Sequence, residues 1–242
     1  MKKRFIALAL IFVLALSFVS CNTTPGQQSA GETSDKIVAM YKRSTPTKSV
    51  TTITYEFYDE ILIDTVTIVS GKVDGTLDAA TYKQVKQRLR SVSSGSNASI
   101  LDNVETQTFE KEYLQGMGVR VKGGGWDPTA SSFAPEDGSL GLNVTDSLIT
   151  DIKEDGKTIS FTVAKANTKT VFGKEIGADV AVVIKSDGAK IVGISLTYTE
   201  PAIALDDPLN DPELPNPELP DTKISIEVAY SYDIEKISIG VR

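Results

Sequence analysis

The stretch "VVIKSDGAKIVGISLTY", residues 182–198, contains the pattern that decides the fold. In its second half, apolar side chains alternate with polar or small ones. This period of two is typical of an antiparallel β-strand with one face on a core and the other toward water. Asp187 and Gly188 separate the two apolar runs, and Asp-Gly suits the positive φ angles of a type I′ turn. The stretch therefore predicts a β-hairpin.

The same alternation recurs at three other places along the chain, residues 53–57, 159–163 and 224–230. These segments predict further antiparallel strands, so the fold class is α+β with mostly antiparallel β-structure. Only about twenty residues follow the Pro-rich, acidic segment 200–221. Because proline cannot donate to a sheet ladder, this segment predicts an extended loop, and the tail after it must pair back into the main sheet.

Three segments show helical spacing instead. Residues 35–43 place Ile37, Met40 and Tyr41 on one face, with Ser34 as a candidate N-cap. "TYKQVKQRLRSV", residues 81–92, also predicts a helix, although a strand remains an alternative within 76–92. "TDSLITDIKED", residues 145–155, predicts a third short helix.

The N-terminus has the three parts of a secretory signal peptide. A basic start at residues 2–4 precedes an apolar run, residues 5–19, and then Ser20-Cys21. A fifteen-residue helix rises about 22 Å, short of a hydrocarbon core of about 30 Å, which makes a permanent membrane span the weaker alternative.

Residues 18–21, Phe-Val-Ser-Cys, resemble a bacterial lipobox, with Phe18 where leucine is usual. The resemblance implies that Cys21 is lipidated after removal of residues 1–20, and two acyl chains give stable anchoring. The alternative is an ordinary signal peptide that leaves an unused thiol. The predicted organisation is a flexible tether over 21–34 and a single domain over 35–242, held at the outer face of the cytoplasmic membrane or at the outer membrane.

The charge and the residue composition argue against several classes of function. The formal charge is −7, and the mature chain is more acidic still because three bases lie in the predicted signal peptide. An acidic surface repels phosphate backbones, so nucleic acid is a poor partner. The chain contains no histidine, the commonest general base near neutral pH and a common zinc ligand. We therefore expect no enzyme activity, no cofactor and no metal site.

Other motifs have an economical structural interpretation. The glycines of "GMGVRVKGGGWDP", residues 116–128, lack phosphate-loop spacing and predict tight bends, or else a flexible lip in which Trp126 and Phe133 touch a ligand. The acids within 206–213 lack the spacing of a calcium loop, which favours a solvated loop. The basic run Lys83, Lys86, Arg88 and Arg90 predicts the polar face of a helix, or else a contact with lipid head groups.

The order of lipobox, tether, short helix and long amphipathic strands resembles the bacterial lipoprotein-carrier and lipid-binding lipoproteins. That resemblance implies a curved sheet, or half-barrel, packed on a few short helices around an apolar cavity. The first hypothesis is therefore binding or transfer of a lipid or other apolar ligand. The alternatives are an interaction or structural lipoprotein with a filled core and, third, a hydrolase with paired carboxylates. The predicted ligand contacts are Tyr55, Phe57, Trp126, Phe133, Phe161 and Leu196.

Overall fold

The structure is a computed structural model of the chain. It describes residues 30–57, 60–73, 76–93, 99–129, 141–201, 203–204, 218–219, 221–233, 237 and 239.

These residues form twelve strands and two α-helices, together with two single turns of 3₁₀ helix at Asp146–Leu148 and Lys165–Asn167. The helices are α1 (Ala30–Arg43) and α2 (Thr168–Phe172). The strands are β1 (Lys48–Phe57), β2 (Glu60–Val73), β3 (Thr76–Ser93), β4 (Ser99–Leu114), β5 (Gly118–Val121), β6 (Ile149–Asp155), β7 (Thr158–Val163), β8 (Val180–Ser186), β9 (Ile191–Glu200), β10 (Ile203–Ala204), β11 (Glu218–Leu219) and β12 (Thr222–Ser231).

Ten of the strands form one antiparallel sheet in the order β5-β4-β3-β2-β1-β12-β9-β8-β7-β6. The sheet is curved and does not close, which confirms the predicted fold class. Strand β12 lies between β1 and β9, so the tail does return to the middle of the sheet as predicted. Strands β10 and β11 pair with each other at the base of the Pro-rich segment, most of which lies outside the described residues.

The hairpin predicted around Asp187 and Gly188 is confirmed as β8–β9, but its turn differs from the predicted type I′. Among the described residues only Asp151 and certain glycines have a positive φ, so Asp187 does not supply one. Instead, the Asp187 carboxylate accepts hydrogen bonds from the backbone N–H groups of Ala189 and Lys190, at 2.8 and 2.7 Å. These two bonds therefore stabilise a longer loop, and the bonds from Lys190 and then Ala189 lower the pKa of Asp187.

The helix predicted at 35–43 is confirmed as α1, which begins at Ala30, inside the segment predicted as a tether. Ile37 and Met40 are buried against the sheet. Ser34 is not the N-cap, because it lies within the helix and its hydroxyl donates to the carboxylate of Asp146. Since this bond joins α1 to the segment that precedes β6, it fixes the helix over the core.

The helix predicted at 81–92 is wrong, and the strand alternative for this segment is confirmed, because it forms most of β3. Backbone pairing with β2 on one side and β4 on the other satisfies its amide groups along almost its whole length. The spacing of Tyr82, Val85 and Leu89 only resembles a helical stripe: in the strand, Tyr82 and Val85 point to opposite faces. Pairing on both sides therefore overrides the local pattern.

The helix predicted at 145–155 is also wrong beyond one 3₁₀ turn, since residues 149–155 form β6. A register shift between Thr150 and Lys153 interrupts the pairing with β7, and Asp151 there has a φ of 53°. Such a bulge adds a residue to one strand and breaks the period of two. That interruption produced the apparent helical spacing of Ile149 and Ile152.

The hydrophobic core lies at one end of the sheet, under α1 and α2. Strands β6–β9 and β12 contribute most of its side chains, which are nearly all excluded from solvent. Along β7 and β8 buried residues alternate with less buried ones, as expected for strands with one face on a core. Ile53 and Tyr55 of β1 pack at the margin of this core.

The other end of the sheet, β2 to β5, is called the open half here. No side chain from Glu60 to Gly71 on β2 is buried, and every residue from Asp102 to Phe109 on β4 is exposed. Among the described residues of this half, Ala79 and Ala80 on β3 and Arg120 on β5 are the buried exceptions. The molecule thus joins a packed half to a half in which most described strand residues remain at least partly accessible to solvent.

Candidate functional site

The register of the sheet assigns each side chain of the open half to one of two faces, because residues directly opposite in neighbouring strands share a face. Ile224 belongs to the core and lies opposite Tyr55, which in turn lies opposite Leu62. Leu62 lies opposite Arg88, and Arg88 opposite Glu105. These residues define the core-side face of the open half, and the alternate residues define its outer face.

The core-side face carries charged side chains at one end of the strands, in three rows of alternating sign. This set, called the ionic ladder, has acids on β2, bases on β3 and acids on β4. Its members are Glu60, Asp64, Lys86, Arg88, Arg90, Asp102 and Glu105.

Hydrogen bonds hold the first two rows together. Arg88 donates to Glu60 through Nε and Nη2, at 3.0 and 2.6 Å, and Arg90 donates to the same carboxylate at 3.2 and 2.7 Å. The bonds from Arg88 and then Arg90 lower the pKa of Glu60, although burial opposes them. Gln84 donates to both oxygens of Asp64, at 3.0 and 2.8 Å. Two guanidinium groups thus share one carboxylate.

The opposite end of the core-side face is mainly apolar and aromatic, and its charged member is Lys111, whose ammonium lies 5.4 Å from the centre of the Phe109 ring. The rings of Tyr82 and Phe109 meet edge to face with centroids 6.3 Å apart. Phe109 is 40% exposed and Val121 is 52% exposed. Val66 and Ile68 on β2 continue this surface by register. The face therefore changes from ionic to apolar along the strands.

A groove of about 330 Å³ lies at the ionic end, beside the margin of the packed core. Tyr55 and Leu62 supply its apolar wall, and ladder residues from all three rows supply its polar wall. Its lining residues are Tyr55, Leu62, Ile63, Asp64, Lys86, Gln87, Arg88, Glu105 and Gln107. An apolar wall beside paired charges suits an amphipathic molecule.

The structure does not bring the predicted ligand contacts together. Tyr55 lines the groove, whereas Phe161 and Leu196 are only 3% and 1% exposed within the packed core. Phe57 ends β1, but its side chain lies outside the described residues, as do Phe133 and Cys21. In this conformation Phe161 and Leu196 contact other core side chains. Their role as ligand contacts stays a prediction.

Trp126 lies in a compact loop after β5, on the outer face of the open half. The Arg120 guanidinium lies over its ring at 4.3 Å and donates to Glu112 at 2.7 Å. Val119 forms a β-bridge with Asp127, which folds the loop back on β5. Trp126 is therefore separated by the sheet from the groove, and the glycines around it serve tight bends, as the structural interpretation predicted.

The sequence did not single out Leu62 or the acids of the ladder as site residues. The basic run resembles the polar face of a helix, although residues 84, 86, 88 and 90 alternate with residues 85 and 89 as a strand requires. The signal was present in the sequence, but the partners Glu60 and Glu105 lie on separate strands. Only the register of β2, β3 and β4 brings them together.

Within the described part of the chain, no helix has the length and apolar character needed to cross a membrane. Nor do the described residues bring three or more acidic or cysteine side chains together as a candidate metal site. The acids within 206–213 lie outside those residues.

Comparisons with known proteins identify no family for this chain. No protein-family model matches the chain, and no curated protein matches it. Among solved structures, a DUF1329 family protein from Desulfovibrio piger is similar over 87% of this chain and 96% of its own, with 13% sequence identity and a TM-score of 0.28. A likeness at that TM-score supports no inference about fold or function.

Proposed function

We propose that this protein is a membrane-tethered lipoprotein of a bacterial cell envelope that binds or transfers a lipid or similar amphipathic molecule. The observation that supports the proposal is the core-side face of the open half, which changes from the ionic ladder to exposed apolar side chains within one set of strands. A ligand with a polar head and an apolar tail matches that division.

The energetics favour an occupant for the apolar end. Exposed apolar patches rimmed by polar groups often mark interaction sites, and the exposure of Phe109 and Val121 creates such a patch here. Each methylene buried against it contributes about 0.8 kcal/mol to binding. The ionic end retains its charges in water, where a polar head group would also remain solvated.

A variant of the groove wall tests binding directly. Leu62→Asp places a carboxylate on the apolar wall, while Thr67→Asp places one on the outer face of the same strand. Native mass spectrometry of the protein extracted from its own membrane should show a bound amphiphile in the wild type and the Thr67 variant, and its loss in the Leu62 variant. A wild-type protein without a bound amphiphile, which also takes up none when phospholipid is added, would contradict the proposal.

The tether is tested at Cys21, because the lipobox resemblance makes this thiol the attachment point. Cys21→Ser should move the protein from the membrane fraction to the soluble fraction once the signal peptide has been removed. Retention of a processed variant in the membrane would refute lipid attachment at this residue. Replacing Ser20 by Ala, which keeps a small residue before the cysteine, is the control and should leave anchoring unchanged.

Two observations favour the second candidate, an interaction or structural lipoprotein with a filled core. Phe161 and Leu196 lie in a filled core, and residues Asp102–Phe109 of β4 have strand pairing on only one edge among the described residues. A free edge can accept a strand from another protein. Lipid-free protein that captures an envelope protein through β4, and loses it when proline replaces Thr106, would favour this candidate.

A further inference from the structure

We propose that the groove selects zwitterionic head groups, which combine a phosphate with an ammonium, over purely anionic ones. This inference rests on the proposed function and specifies the ligand class of the same site. The observation that supports it is the order of charges across the groove, where a basic row is flanked by an acidic row on each side.

The basic row supplies the phosphate contact. Arg88 bonds Glu60 through Nε and Nη2, which leaves the N–H donors of Nη1 outside that pair. Lys86 lies 4.0 Å from Asp64 and is 59% exposed, so its ammonium is accessible to a ligand. Guanidinium and ammonium groups on one strand form a suitable partner for a phosphate.

The acidic row on β4 supplies the second half of the selectivity. Glu105 lies opposite Arg88 and also lines the groove, and Asp102 lies opposite Arg90. A phosphate over Arg88 therefore lies near the Glu105 carboxylate, which attracts the ammonium of a zwitterionic head group and offers no such attraction to a head group whose only charge is the phosphate. The groove contains two acids, Asp64 and Glu105, and two bases, so it offers no net positive charge to an anionic head group.

Competition between two lipids measures this selectivity on the full-length protein. Phosphatidylethanolamine and phosphatidylglycerol with identical acyl chains differ in mass, and native mass spectrometry counts each as a separate adduct. One exposed charge pair changes affinity by about two- to fivefold. We therefore expect phosphatidylethanolamine adducts to exceed phosphatidylglycerol adducts by about that factor at equal concentrations.

Glu105→Gln should remove the preference, because it deletes the negative charge beside the ammonium. Glu110→Gln is the matched control, since Glu110 lies on the same strand but pairs with Lys122 and Lys83 on the outer face. The preference should persist in this control. Equal adducts in the wild type, or a wild-type preference for phosphatidylglycerol, would overturn the inference while lipid binding itself stands.

A separate competition experiment tests whether the acyl chains contribute to binding, because a soluble phosphoester carries the same head group. Glycerophosphoethanolamine should compete more than tenfold more weakly than the lipid, since it lacks methylenes to bury. Equal competition would assign the groove to a soluble phosphoester and overturn the lipid assignment. Binding of neither lipid by the wild type would overturn the proposed function as well.

Discussion

Truncation of one leucine in each half of the sheet should have very different effects on stability. Leu196 on β9 is 1% exposed, between Val182 and Ile226 in the neighbouring strands. Leu62 on β2 is only partly buried and lines the groove. The same substitution to alanine therefore compares a filled core with an open surface.

The expected magnitudes follow from the burial of each side chain. Leu196→Ala removes buried carbons worth about 2.4 kcal/mol at about 0.8 kcal/mol each, and the cavity left behind raises the loss to about 3–4 kcal/mol. Leu62→Ala removes carbons that already contact water beside a groove open to solvent, so we expect it to lower the free energy of unfolding by only about 1 kcal/mol. Single domains have total stabilities of about 5–15 kcal/mol, so both variants should still fold.

Urea unfolding followed by circular dichroism measures both losses, with the m-value as a check that the transition itself is unchanged. Equal losses at Leu196 and Leu62 would refute the division into a packed half and an open half. A gain in stability of Leu62→Ala upon addition of lipid, smaller than the gain of the wild type, would further support the groove as the binding site.

Three further predictions concern the loops and the core. Gly118→Ala should destabilise the protein by at least about 1–2 kcal/mol in thermal unfolding, because Gly118 has a φ of +88° and a Cβ there would lie 2.0 Å from a backbone oxygen. Gly125→Ala is the control and should change stability little, because a Cβ at Gly125 would meet no neighbouring atom. Burial raises the pKa of Tyr198 and Tyr230 to about 12, so both should ionise at higher pH than the other tyrosines in an absorbance titration. The free energy of unfolding should fall as the pH rises from about 10 to 12. Ionisation of all eight tyrosines near pH 10 would contradict this. Replacing residues 205–217 with a short Gly-Ser linker should leave the unfolding temperature nearly unchanged, because β10 and β11 already close the loop at its base; a large drop would refute that independence.

The packed half was predictable from the sequence because its strands have one apolar face and one polar face. Alternation identified β7, β9 and β12, and the spacing of Ile37 and Met40 identified α1. In each case the local pattern of apolar residues agrees with their burial in the folded protein, and such agreement allows secondary structure to be predicted from the sequence.

The open half was harder to predict. A half-buried strand has one apolar face, but the strands of this half carry charged or threonine side chains on that face as well. On β3, Lys86, Arg88 and Arg90 form a polar row that is typical of a solvated helix face. Their partners come from β2 and β4, so only the register defines the ladder. The groove could not be predicted for the same reason: Tyr55 was identified from its strand, but Glu105 lies some fifty residues away.

Photo-crosslinking with a phospholipid that carries a diazirine in its acyl chain tests the central claim most directly. Light converts the diazirine into a carbene that inserts into adjacent side chains, and peptide mapping then locates the label. Binding on the core-side face of the open half predicts label at Tyr82 and Phe109, on the apolar end of β3 and β4. Label confined to outer-face residues such as Val85 and Thr108, or spread without preference over both faces, would contradict it.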